Sequence, residues 1–336
     1  MPTPSGPSAQ VDPSKAIGYE IDTRPCSWNQ RDLILYAISI GAKKDDYRYI
    51  YEKDPDWQPI PTYPLVLSFR GNSQTIVDFE TVMATGRPIP GLPKTSSTKL
   101  VHASQAIAIL KALPKESGDG WAVTRKLVGV YDRNGKGMVT ETLVTLRGPD
   151  GQEYAQMVGS TYYFGDYGLN GFSRSVAPKL NLPERATTKP PNRDPDATDT
   201  QKTSPEQAIL YRLSGDYNPL HVDPSIGQRL GMPGAILHGL SSYGFAAMAI
   251  IKQTCQGDSS RLLSMSTKFT SPVMPGDTLE TLMWVSPGKD PSTSEVEFVQ
   301  RIKESGKFSL GGGVAYIRWD GKPDVGKGVD EVKSKL

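Results

Sequence analysis

Cysteine and histidine are scarce in this chain. Its 336 residues hold two cysteines, Cys26 and Cys255, and three histidines, His102, His221 and His238. Two thiols so far apart form neither a disulfide framework nor a Cys/His metal cluster, and the chain suits a reducing compartment. No apolar run reaches the roughly 18 residues that a transmembrane helix needs. The N-terminal MPTPSGPSAQVDPSK has no apolar centre and does not read as a signal peptide. An excess of one charge is lacking too. Lys and Arg number 38 against 36 Asp and Glu, a net charge of +2. That balance removes the electrostatic footprint of a nucleic-acid or membrane-surface binder. No glycine-rich nucleotide loop stands out either. What remains is a 37% hydrophobic, 8% aromatic chain with enough apolar mass for two ordinary domains or one large one.

Two of the three histidines fall in residues 211–240, YRLSGDYNPLHVDPSIGQRLGMPGAILHGL. Asp216 precedes His221, with Asn218, Pro219 and Leu220 between them. Pro219 blocks a regular helix, and Gly215, Asn218 and Pro219 favour a bent loop. Such a loop can aim a carboxylate and an imidazole into one space. A pair on opposite sides of one water can take a proton and give one, without a metal or a covalent intermediate. Histidine suits this because its unperturbed pKa of about 6.5 is close to working pH. Asn218 would orient the water or the Asp. An Asp and a His this close also occur together in plain turns and caps, so spacing alone leaves the matter open.

The whole string is more specific. YRLSGDYNPLHVDP followed by GAILHGL resembles the hydratase 2 motif of the MaoC-like family, the (R)-specific 2-enoyl-CoA hydratases. The resemblance spans roughly residues 17–320 and is densest over 204–285. It implies an α+β double hot-dog, two units of a helix laid on a curved antiparallel sheet. It also implies reversible syn addition of water to a trans-2-enoyl-CoA, giving the (3R)-hydroxyacyl-CoA. Coenzyme A enters as part of the substrate, with no separate cofactor and no metal. Asp216 and His221 would be the acid–base pair with Asn218 beside them. Gly239, at the expected start of a helix, would present its N–H to the thioester oxygen. LVHASQ sits where relatives carry LLHGEQ, which suggests ligand contact for His102 and Ala103; Ala103 and Ser104 depart from that pattern. Arg133 in YDRNGKG falls where relatives place a basic residue near coenzyme A, and Phe269 at an aromatic position lining the site. Read without the resemblance, these four are a structural histidine, its neighbour, a solvated turn arginine and a core aromatic. His238 reads as a structural residue with a supporting hydrogen bond, and Asp223, before Pro224, as a helix cap.

Along the chain, residues 1–16 read as disordered. A unit over 17–165 follows, then a linker over 166–203, a catalytic unit over 204–320 and a flexible tail over 321–336. In the first unit WNQRDLILYAISIGA has helical spacing, with Ser27 as its expected cap and Gly41 near its end. Three alternating runs from Trp121 to Gly165, joined by Asn134-Gly135 and Pro149-Asp150-Gly151, read as an antiparallel meander. In the second unit SPEQAILYRL and then AILHGLSSYGFAAMAIIKQ read as helices, the latter central and wrapped by strands. Four more strand-like runs follow. Both halves repeat the order helix then strands, without a residue-level repeat. The terminal Ser334-Lys335-Leu336 matches the peroxisomal address read by an import receptor, so a peroxisomal matrix location is expected. A homodimer is expected from the family alone. Three rivals stand beside the hydratase reading: a dehydratase acting on an unusual acyl-CoA, a hot-dog thioesterase and a non-catalytic acyl-CoA binder. The last would be expected to lose Asp216 or His221, and both are present.

Overall fold

The computed structural model describes residues 11–79, 88–96, 99–178 and 190–318. The first half opens with edge strand β1 (Glu20–Pro25), then helices α1 (Gln30–Ser39), α2 (Tyr47–Ile50) and α3 (Pro64–Arg70). Strand β2 (Leu100–Ile109) follows, then a meander of β3 (Ala122–Asp132), β4 (Gly137–Arg147) and β5 (Glu153–Phe164), and β2 pairs with β5 rather than β3. Asn134 and Gly135 both adopt positive φ, 55° and 69°, the conformation that lets a tight turn follow the twist of its strands. After the short β6 (Ser173–Ser175), the second half repeats the plan. Edge strand β7 (Ala197–Lys202) leads to α4 (Gln207–Arg212), α5 (Pro224–Arg229) and α6 (Gly239–Thr254). Strands β8 (Leu262–Phe269), β9 (Thr278–Pro287), β10 (Thr293–Ile302) and β11 (Phe308–Arg318) complete it.

The strands form one antiparallel sheet in the order β1-β3-β4-β5-β2-β8-β11-β10-β9-β7, with β6 pairing β3. The order mirrors itself about the β2–β8 seam, where Ser104 pairs Lys268 and Ala108 pairs Ser264. Two helix-on-sheet units thus lie side by side, the expected double hot-dog. Every residue of α6 from Leu240 to Ile251 is buried. An all-round apolar helix of that kind needs cover on every face, which the sheet and α1 provide. Gly244 gives room for Ile40 of the first half, and the Tyr243 hydroxyl donates to the Met265 carbonyl at 2.7 Å. No helix among the described residues is long and apolar enough to cross a membrane.

Four expectations change. α1 is capped by Asn29, not Ser27. The Asn29 side chain accepts from the Asp32 N–H at 3.2 Å, and the Asp32 carboxylate accepts from the Asn29 N–H at 3.0 Å. A reciprocal capping box satisfies two helix-end donors, which Ser27 is too far upstream to do. The expected linker 166–203 contains β6 and β7, and β7 pairs β9 along its whole length, so the strands of the second half begin before residue 204. A short residue-level repeat also exists: ILYAIS at 34–39 in α1 and ILYRLS at 209–214 in and after α4. α1 and α4 pack on each other, with the Tyr36 and Tyr211 ring centroids 6.2 Å apart. Residues 11–16, expected to be disordered, are ordered as well: Pro13–Lys15 form a 3-10 turn and Ala16 is buried. The expectations for residues 1–10 and for the C-terminal tail with Ser334, Lys335 and Leu336 lie outside the described residues.

Candidate active site

The site is built on the bend after α4. Gly215 has φ +133°, and a Cβ there would stand 2.6 Å from Arg70 Cβ and 3.0 Å from the Arg70 nitrogen. Only glycine lets the chain turn this closely against the end of α3. Asp216 follows, partly covered, and one carboxylate oxygen accepts the Asn218 N–H at 3.2 Å. The Asn218 side-chain oxygen is taken by the Leu220 N–H at 3.0 Å, capping a single 3-10 turn over Pro219–His221. Asn218 therefore orients Asp216 through its main chain, while its side chain holds the turn that buries His221.

The His221 Nδ1 lies 2.8 Å from the Ile236 carbonyl. A carbonyl only accepts, so Nδ1 carries the proton and Nε2 carries the lone pair of the neutral ring. His238 Nε2 is likewise 3.1 Å from the Asp216 carbonyl and donates to it. The His238 ring lies flat on His221, centroids 3.6 Å apart and planes 24° apart, with Tyr211 against it at 4.8 Å. Burial pushes the Asp216 carboxyl up from the ordinary range, opposed by His221 and by the Asn218 N–H. Burial pushes His221 down, opposed by Asp216. Both shifts favour uncharged forms, so His221 is a free base at neutral pH and Asp216 holds a proton more readily than an exposed aspartate.

Candidate ligand atoms of Asp216, His221 and His238 all lie within 4.8 Å of one another. The arrangement fits a metal poorly. Ring lone pairs lie in the ring planes, and two nearly parallel stacked rings do not converge them on a tetrahedral centre.

α6 starts beside the pair. His238 is its N-cap residue, and its carbonyl accepts the first helical bond, from the Ser241 N–H at 3.0 Å. The N–H groups of Gly239 and Leu240 precede that bond and have no acceptor within the helix. A Cβ on Gly239 would meet the Phe269 ring at 3.1–3.4 Å, so an alanine would need that ring to give by a few tenths of an ångström. Phe269 in turn packs on His102 of the first half, centroids 4.8 Å apart. Ala103 is the extra residue of a bulge in β2, where the register shifts between His102 and Ser104. A bulge re-aims the side chain beside it. Loss of solvation pushes His102 down to about 4.

The structure thus gathers Asp216, His221 and His238, and connects Gly239, Phe269 and His102 in one contact line. Arg133 stands apart. It is exposed in the β3–β4 turn, over the Tyr131 ring, and β3 is three strands away from β2. At about 4.8 Å per strand that is roughly 14 Å across the sheet. Asp223 caps α5 as expected, accepting from the Ser225 N–H at 2.9 Å. Tyr211 and Arg70 escaped the sequence reading. The repeat ILYAIS/ILYRLS was a usable signal for Tyr211; nothing local marks Arg70.

Two family profiles match the chain: the MFE-2 hydratase 2 N-terminal domain over residues 26–165 and the MaoC like domain over residues 186–306. The chain is 36% identical over 305 residues to the "Probable dehydratase NIT22" of Ajellomyces capsulatus, covering 87% of this chain and 79% of that one. It is 34% identical over 309 residues to the "Probable enoyl-CoA hydratase 2" of Dictyostelium discoideum, covering 91% and 97%. The crystal structure of a MaoC-like dehydratase from Phytophthora capsici matches with a TM-score of 0.79 at 35% identity, covering 92% of this chain and all of that one.

Proposed function

The chain belongs to the MaoC-like hydratase 2 family, and from that premise we propose that it is a hydro-lyase adding water reversibly and syn across a trans-2-enoyl-CoA to give the (3R)-3-hydroxyacyl-CoA. The observation that carries this reading is geometric: the Ile236 carbonyl holds the His221 Nδ1–H and leaves the lone pair on Nε2, with the Asp216 carboxyl and the start of α6 close by. The thioester carbonyl makes the β-carbon electrophilic. Attack by water there moves negative charge onto the thioester oxygen, and the Gly239 N–H stabilises it. The water oxygen bonds to the β-carbon and one water proton goes to His221 Nε2. The Asp216 proton goes to the α-carbon on the same face, and His221 then returns a proton to Asp216. No metal takes part in these steps, and the coenzyme A is the substrate's own.

The test is a series of trans-2-enoyl-CoA esters of short, medium and long chain. Loss of enoyl absorbance and the configuration of the product are read for wild type, Asp216→Asn and His221→Gln, with and without a chelator. The expected result is a (3R) product, unaffected by chelator and lost in both variants. Release of free thiol would make the protein a thioesterase. A (3R) product surviving in both variants would remove the assigned pair.

The similarity to NIT22, named a dehydratase, favours a second reading: the same loop working towards the alkene on an unusual or branched acyl-CoA. Wild type would then leave straight-chain enoyl esters untouched and dehydrate a branched 3-hydroxyacyl-CoA. For location we propose the peroxisomal matrix, with Ser334-Lys335-Leu336 as the address. A fluorescent protein fused to the N-terminus should enter peroxisomes, and deletion of those three residues should leave it outside.

A further inference from the structure

Buried side-chain polar atoms nearly always find a partner. Among the described residues six have none in the protein: Trp57 Nε1, Tyr211 OH, Arg212 Nε, Ser214 Oγ, His238 Nδ1 and Ser241 Oγ. All but the first belong to the two short segments that flank the Asp216–His221 loop. Two of them, the Tyr211 hydroxyl and His238 Nδ1, sit on rings in contact at 4.8 Å. The bond from His238 Nε2–H to the Asp216 carbonyl leaves Nδ1 as an acceptor. The Tyr211 hydroxyl is a donor on the ring next to it.

The internal repeat makes the free hydroxyl more telling. Tyr36 holds the matching place in the first half, and its hydroxyl donates to Thr62 Oγ1 at 2.9 Å, just before α3. Tyr211 is packed against His238, just before α6. Each tyrosine meets the residues that start its own half's third helix. Only in the second half is the residue met a histidine that also bonds to Asp216 and stacks on His221.

We propose that Tyr211 and His238 are positioning residues: the Tyr211 hydroxyl, through one bridging water, holds His238 in its Nε2–H tautomer, and His238 then fixes the Asp216 main chain and the His221 ring. Neither touches the reacting atoms. The opposite tautomer would put a lone pair against the Asp216 carbonyl and release the bend that aims the carboxylate. Burial and the neighbouring His221 hold His238 neutral, so its tautomer, rather than its charge, is the variable.

With three histidines in the whole chain, nitrogen-15 NMR of histidine-labelled full-length protein reads the tautomer directly. Substitution of each histidine gives the assignment. Wild type at neutral pH should show His238 with a protonated Nε2 and a bare Nδ1. Tyr211→Phe removes only the hydroxyl. It should populate the other tautomer and lower kcat about tenfold, the rate equivalent of one hydrogen bond, with KM and melting temperature little changed. His238→Gln keeps an amide donor for the Asp216 carbonyl and should retain more activity than His238→Ala. A wild-type His238 protonated on Nδ1 overturns the proposal. So does a Tyr211→Phe protein with unchanged tautomer and kcat, or a tautomer that shifts in Ser241→Ala and not in Tyr211→Phe. The kcat arm rests on the hydro-lyase reading. The NMR arm does not, so an inactive wild type with the expected tautomer would count against that reading alone.

Discussion

In the first half the third helix, α3, stops at Gly71 after the seven residues Pro64–Arg70, whereas its counterpart α6 runs for sixteen, Gly239–Thr254. Among the described residues the rest of the plan is shared: an edge strand, three helices, and one strand at the β2–β8 seam followed by a three-stranded meander, mirrored about that seam. The loops between first and third helix differ in kind. In the first half it carries Lys43, Lys44, Asp45 and Asp46, and Asp46 reaches over to pair Lys252 at the far end of α6, at 2.6 Å. In the second half it carries Asp216 and His221, which lose solvation and are both pushed towards their uncharged forms. One half has become the support of the other. Arg70 backs the bend at Gly215, Ile40 fills the notch at Gly244, and β2 brings His102 across the seam to Phe269. A duplicated scaffold can hold chemistry on one side while the other supplies the walls.

The largest effect should come from testing which loop is chemical. Asp216→Asn and His221→Gln should each lower kcat roughly 10³-fold, within the range of a lost general acid or base. Asp45→Asn in the first-half loop should leave kcat unchanged. Equal losses in both loops would break the comparison.

The next effect tests whether the halves are independent. Asp32 and Arg70 form a buried ion pair at 2.8 Å inside the first half, and Arg70 also donates to the Tyr63 hydroxyl and the Ser73 carbonyl. Asp32→Asn leaves a buried guanidinium without its counter-charge and should cost about 3 kcal/mol in urea unfolding. Because Arg70 lies against Gly215, kcat should fall as well, although Asp32 is far from the site in sequence. Lost stability with kcat intact would mean that the bend stands without its first-half backing.

Much of this was open to reading because it is local. Pro219 and Asn218 announce a bent turn, Asn134-Gly135 a hairpin, and Asp223-Pro224 a capped helix, and each rule acts over a few residues. The long central helix and its start at Gly239 followed from one apolar run. What stayed hidden needs the chain to close on itself. The stacking of His238 on His221 depends on α6 folding back on the loop. The separation of Arg133 from His102 depends on strand order, which no hairpin signal reveals. β6 and β7 hide in a segment rich in Pro, Thr and Asp because they are short edge strands with exposed faces. Edge strands need little apolar patterning, since their side chains face water. The repeat around Tyr36 and Tyr211 was present as letters, but six residues acquire meaning only when the two helices are seen to pack together.

Two glycines of α6 separate chemistry from packing more finely. A Cβ on Gly239 meets the partly buried Phe269 ring, which needs to give only a few tenths of an ångström. A Cβ on Gly244 runs into Ile40, which is fully buried. Gly244→Ala should therefore destabilise by about 1–3 kcal/mol through overpacking, less up to ~1 kcal/mol of helix propensity, and keep its kcat. Gly239→Ala should keep its melting temperature and lose about tenfold in kcat/KM, close to 1.4 kcal/mol of transition-state binding. The reverse pattern would move the oxyanion site away from the start of α6.

The smallest effect is in the pH dependence of stability, and it draws on both halves. All three histidines are pushed below their usual pKa of about 6.5 by lost solvation, His102 to about 4. Between the folded and unfolded values the unfolded chain binds protons that the folded chain refuses, so stability rises with pH there. Stability should thus be full above about pH 6.5 and fall as the pH drops towards 4. Asp216 works the other way. Its raised pKa makes the folded state bind the extra proton, which adds stability as the pH falls from its folded value towards the ordinary aspartate value of about 3.9 and offsets part of the loss. Melting temperatures between pH 8 and pH 5 should show a decline that His102→Gln, in the first half, makes shallower. Asp216→Asn, in the second, should make it steeper. If His102→Gln leaves the slope unchanged, the first-half histidine is better solvated than its packing on Phe269 implies, and the acid sensitivity belongs to the catalytic half alone.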